Sequence, residues 1–98
     1  MKNLFEEVKE LNDLDPATNA ERLGKLTEEV GELAKEVNKT NGRKVNTNTK
    51  EEIISEITQE AADVIQNVFS IADGFGITYE DIVEAMKIKN GKWRSKMI

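Results

Sequence analysis

Residues 50–73 read KEEIISEITQEAADVIQNVFSIAD, and the spacing of apolar residues inside them decides the fold. Ile53, Ile54, Ile57, Ala61, Val64, Ile65, Val68, Phe69, Ile71 and Ala72 recur every three or four positions, the period of an α-helix. They cover a wider arc than a helix lying on a surface requires, so this helix is expected to be the most buried of the set. Thr49 and Glu52 have capping-box spacing at its start, and Gly74-Phe75-Gly76 supplies a stop.

The polar residues of the same stretch are as ordered as the apolar ones. At about 100° per residue, with Ile53 as zero, Glu56, Glu60, Asp63 and Asn67 fall near 300°, 340°, 280° and 320°. They form a strip about 60° wide against the edge of the apolar arc. Three of the four are carboxylates, and no Lys or Arg shares the helix with them beyond its first residue. Like charges at this spacing repel, the more so near a dry core, unless a cation arrives or a carboxyl is protonated. A bound metal ion is therefore a physical candidate.

Working outward, the preceding helix is expected over about residues 16–39, with Asp15 as its cap and Pro16 at its first position. Its apolar stripe is Leu23, Leu26, Val30, Leu33, Ala34 and Val37. Glu29, Glu32 and Glu36 flank that stripe, with Glu28 further round. Taken alone this second strip reads as a solvated face, because Lys25, Lys35 and Lys39 stand at pairing distance along the helix. Taken with the first it reads differently. Glu29-x-x-Glu32 and Glu60-x-x-Asp63 each put two carboxylates about one turn apart, and antiparallel packing of the two helices brings all four to one or two hard cations. Mg²⁺ prefers oxygen ligands, and it leaves positions for phosphate oxygens and for an attacking water.

A short first helix is expected over about residues 2–11, with Leu4, Phe5, Val8 and Leu11 on one face, broken by Asn12-Asp13-Leu14-Asp15-Pro16. Residues 40–48 are polar, contain Gly42 and read as a loop. Thr78, with Asp81 at capping-box spacing, starts a fourth helix running to about Lys89 or beyond. The chain is thus expected to be a single all-α domain spanning residues 1–98, with four helices in a bundle-like arrangement.

Composition narrows the chemistry. The 98 residues include no Cys and no His. Disulfides, thiolate sites, imidazole bases and His-type zinc or di-iron sites are excluded, leaving carboxylates and lysines for any acid–base or metal work. A formal charge of −5 opposes general nucleic-acid binding. No apolar run reaches the length of a membrane span, and the first residues lack a signal peptide's apolar stretch, so cytoplasmic localisation is expected. Charge is also segregated. Residues 51–86 carry nine acids and no Lys or Arg, whereas residues 87–98 carry Lys87, Lys89, Lys92, Arg94 and Lys96 and no acid. Either the tail neutralises its neighbour, or an acidic metal site sits beside cationic and amide donors suited to phosphate.

At these residues the chain resembles the MazG-like branch of the all-α nucleotide pyrophosphohydrolases. Leu26-Thr27-Glu28-Glu29-Val30-Gly31-Glu32-Leu33-Ala34 is similar to the family's ExxE half, and Glu60-Ala61-Ala62-Asp63-Val64-Ile65 to its ExxD half. Phe75-Gly76-Ile77-Thr78-Tyr79-Glu80-Asp81-Ile82-Val83 is similar to its link into the last helix, and Lys87-x-x-Asn90-x-x-Trp93-Arg94 to its ending, with Met86 where relatives often have lysine. The resemblance covers roughly residues 20–95 and implies a MazG fold assembled as a homodimer or homotetramer. It implies Mg²⁺, with Mn²⁺ as substitute, held by Glu29, Glu32, Glu60 and Asp63, with Glu28 and Glu56 as auxiliary acids. It further implies Glu32, or Glu29, as the group activating water, and Lys87, Asn90 and Arg94 as the phosphate or sugar contacts. The implied reaction is nucleoside or deoxynucleoside triphosphate plus water giving monophosphate and pyrophosphate, with no nucleic-acid or membrane partner. The competing expectation is a non-catalytic helical module that dimerises or docks onto a partner, motivated by the small core and the broad apolar arc.

Overall fold

The computed structural model describes residues 1–41 and 49–97. Four helices follow one another, α1 (Lys2–Leu14), α2 (Asn19–Asn38), α3 (Lys50–Gly74) and α4 (Tyr79–Ser95), with a 3₁₀ turn at Lys39–Asn41 closing α2. No strand occurs among the described residues, so the all-α expectation holds. Of the loop expected at 40–48, Thr40 and Asn41 belong to the 3₁₀ turn, and residues 42–48 lie outside the described residues.

α3 is the central element, as its wide apolar arc requires; both α1 and α2 pack on it. α2 runs antiparallel to α3. At one end Asn19 Nδ2 donates to the Gly74 carbonyl at 3.4 Å. Ten residues along α2, Glu29 meets Glu60 and Asp63. A Cβ at Gly74 would displace the end of the Asn19 side chain and so disturb its bond to the Gly74 carbonyl.

α1 extends three residues into the expected break, to Leu14. Asn12 Nδ2 donates to the Ser70 carbonyl and to Asp73 Oδ2, both at 2.9 Å, and Asn12 Oδ1 accepts from Ser70 Oγ at 2.6 Å. These bonds to α3 hold a last turn that local propensity does not favour. The start of α2 shifts for a related reason. Asp15 caps the end of α1 and accepts from the Ala17 N–H at 2.9 Å. Thr18, not Asp15, is the N-cap of α2: its hydroxyl accepts from the Glu21 N–H, and Glu21 accepts from the Thr18 N–H in return. A two-sided capping box satisfies two amide donors where a lone Asp before proline satisfies fewer.

Thr49 and Thr78 cap α3 and α4 as expected, the latter with a reciprocal bond from Asp81. α3 ends in a Schellman motif. Gly76 N–H donates to Asp73 O and Ile77 N–H to Ala72 O, both at 2.9 Å, with Gly76 at φ +73°.

Among the described residues the buried apolar core is small: Phe5, Val8, Phe69 and Ala72. Phe5 is its hub, edge-to-face with Phe69 at 5.0 Å and with Tyr79 at 6.1 Å between ring centroids. Tyr79 and Ile82 are what α4 contributes to this cluster. Beyond Val83 every described α4 residue is exposed.

A carboxylate cluster between two helices

α2 buries two residues below a tenth of their surface, and both are acids, Glu29 and Glu36. Its apolar residues Leu26 and Leu33 are only half-buried. An acid reaches that depth when a partner offsets its desolvation. Glu36 has Lys39 Nζ at 3.0 and 3.1 Å from its two oxygens. Glu29 has Lys25 Nζ at 3.1 Å, one turn earlier on its own helix.

On its other side Glu29 meets two further acids. One carboxylate oxygen each from Glu29, Glu60 and Asp63 lies within 4.8 Å of the others. Glu60 is half-buried, and its Oε2 is buried without a hydrogen-bond partner. The helical period accounts for the grouping: Glu60 and Asp63 are one turn apart on α3, and the antiparallel register brings Glu29 against them.

The electrostatics are uneven. Lys25, through its hydrogen bond and its charge, holds the Glu29 carboxyl below its ordinary value despite burial. Burial pushes Glu60 up, and the neighbouring carboxylates of Glu29, Asp63 and Glu32 push it further. Among the described residues one ammonium, that of Lys25, thus faces three acids, and no ion pair reaches Glu60 or Asp63. The donors are all hard oxygens, suited to Mg²⁺ or Mn²⁺. Opposite ligands of Mg²⁺ stand about 4 Å apart. Neighbouring ligands stand about 3 Å apart, so three oxygens within 4.8 Å of one another must draw together to close on one ion. The orphaned Glu60 oxygen is the observation that such an ion accounts for.

The remaining expected site residues fall outside this trio. Glu32 is exposed on α2, one turn beyond Glu29, near enough for its charge to act on Glu60. Glu28 is exposed and 3.9 Å from Lys25. Glu56 is exposed on α3. Lys87, Asn90 and Arg94 are exposed on the far part of α4, with no hydrogen bond or ion pair to the acids of α2 and α3. Asn90 and Arg94 instead line a shallow hollow with Trp93 and Met97. Lys25, which the sequence presents as an ordinary surface partner, is the resident cation of the cluster. Asn67 donates from Nδ2 to the Asp63 carbonyl at 2.7 Å, which ties it to the helix backbone beside the acids.

No curated protein and no solved structure matches the chain. A family model does, that of the MazG nucleotide pyrophosphohydrolase domain, over residues 17–96. The match takes in α2, α3 and α4 and therefore every carboxylate of the cluster. The chain belongs to the MazG nucleotide pyrophosphohydrolase domain family.

Proposed function

We propose that the protein hydrolyses nucleoside or deoxynucleoside triphosphates to monophosphate and pyrophosphate, using a divalent cation held between α2 and α3. The observation that carries this reading is the convergence of Glu29, Glu60 and Asp63 from two helices, with one buried Glu60 oxygen left unpaired. Family membership supplies the reaction class.

Glu29, Glu60 and Asp63 would hold Mg²⁺, with Glu32 swinging in from the rim as a fourth acid. When bound, the ion neutralises phosphate charge and makes water more acidic. Glu32 orients the attacking water and takes its proton; its exposure leaves it free to move, whereas Glu29 is tied to Lys25. Water adds at the α-phosphorus, and the bond from that phosphorus to the bridging oxygen of pyrophosphate breaks. Glu28 and Glu56 deepen the negative field that draws the cation in. Lys87, Asn90 and Arg94 supply donors for the phosphates or the sugar, from this chain's α4 or from that of a second copy in a homodimer or homotetramer. The working protein is a cytoplasmic house-cleaning enzyme of the nucleotide pool.

The test is pyrophosphate release from a mixed pool of nucleoside and deoxynucleoside triphosphates with Mg²⁺. Release that disappears on chelation supports the reading. No release from any of them at micromolar protein overturns it and favours a binding module.

A further inference from the structure

α1 and α3 border an open cleft of about 350 Å³ that has Asp63 in common with the carboxylate cluster. Its walls are apolar, with Leu4 and Val8 from α1 and Phe69 from α3. Two polar side chains stand at its edge, Glu7 and Gln66. Both are exposed, and neither has a hydrogen-bond or ion-pair partner among the described residues. The family match begins at residue 17, so α1 and its side of the cleft lie outside the matched stretch.

We propose that this cleft takes the base of the nucleotide and that Glu7 and Gln66 read its edge, favouring bases that carry an exocyclic amino group. The assignment rests on the pyrophosphohydrolase reading, which supplies the nucleotide. From Asp63 to Phe69 is six residues, a rise of about 9 Å along α3. That is the reach of a sugar and base, so phosphates held at Asp63 bring the ring against Phe69 and Val8. Apolar walls with a few converging polar groups are the usual make-up of such a pocket. The polar pair sets the preference. A carboxylate only accepts hydrogen bonds, so Glu7 suits the amino group of cytosine or adenine and opposes the carbonyl that uracil or hypoxanthine presents there. The Gln66 amide both donates and accepts, which suits the ring nitrogen next to that group.

The experiment has two arms, run on the wild type, Glu7→Gln and Gln66→Ala. In the first, CMP, AMP, UMP and IMP are titrated with Mg²⁺ while backbone amide signals are followed by NMR. CMP and AMP should shift the amides around Leu4, Glu7 and Gln66 and bind more tightly than UMP and IMP. In the second, kcat/KM is measured for CTP against UTP. The wild type should favour CTP about tenfold, and Glu7→Gln should bring the ratio to about one. Mg²⁺ affinity and thermal stability should stay at wild-type values, since Glu7 is exposed and outside the carboxylate trio. Signal shifts confined to other parts of the chain overturn the proposal, as does base discrimination unchanged in Glu7→Gln. Absence of hydrolysis for every triphosphate strikes the pyrophosphohydrolase reading alone, because the monophosphate titration still decides the cleft.

Discussion

Glu60 is the residue on which stability and activity pull in opposite directions. Burial and three neighbouring carboxylates raise its carboxyl above the ordinary value of 4.5. A raised value means the folded chain prefers the protonated form. Its contribution to folding is therefore fully present below that ordinary value and is lost as pH rises through the raised one. Glu29, lowered by Lys25, has the opposite sign and favours the fold above its ordinary value. Metal-free wild type should accordingly keep the Glu60 contribution at a pH below 4.5 and lose it at a pH above the raised value, and Glu60→Gln should abolish that part of the pH dependence. Urea unfolding at both pH values with chelator checks this. At neutral pH without metal the variant should melt higher than the wild type, while pyrophosphate release falls on the order of 100-fold. Mg²⁺ at a hundred times its Kd should raise wild-type stability by about 2.7 kcal/mol, and Glu60→Gln should lose most of that gain in the same titration.

At the scale of the element, the helix ends hold the frame. Glu21 and Asp81 are both lowered by their bonds to the backbone N–H and hydroxyl of Thr18 and Thr78. Their stabilisation is present above the ordinary values of 4.5 and 3.8 and is lost as pH falls through the lowered ones. Acidification below about pH 4 should therefore fray the starts of α2 and α4 first, seen as faster amide exchange at residues 19–21 and 79–81. The end of α3 depends on Gly76 at φ +73°. A Cβ there meets no neighbour within 4 Å, so the cost of Gly76→Ala is backbone strain alone. It should destabilise by about 1–2 kcal/mol in denaturant titration. The same turn sets the direction in which α4 leaves the core, so the variant should also impair turnover if α4 delivers the phosphate contacts.

At the scale of the whole molecule, one chain is open. Its Cα radius of gyration is 16.3 Å. A compact chain of about 100 residues reaches about 13 Å. Its extents of 44 × 43 × 23 Å describe a flat plate, with four buried apolar residues among those described. Leu23, Val30 and Val37, at seven-residue spacing along α2, are 57%, 48% and 43% exposed. Ile54 on α3 and Trp93 on α4 are 53% and 63% exposed. So much uncovered apolar surface on a small domain favours self-association. Light scattering should give at least twice the mass of one chain. Val30→Glu should shift it towards the monomer and reduce pyrophosphate release together with it.

The helices, two of their caps and the glycine stop after α3 follow from the sequence alone, because period, capping pairs and a left-handed glycine act within a few residues of chain. The acid strip of α3 is legible for the same reason. Where α1 stops and α2 starts was not, since Asn12 gains its partners from Ser70 and Asp73, about sixty residues away, and Asp15 is drawn into capping the helix before it. Which acids meet depends likewise on tertiary structure. The register of α2 on α3 buries Glu29 against Glu60 and Asp63, leaves Glu32 at the rim and turns Lys25 into the cluster's cation, whereas local spacing treats Glu29 and Glu32 alike. The cleft beside Asp63 exists only because α1 crosses α3, a contact between chain segments too distant for any local pattern to encode.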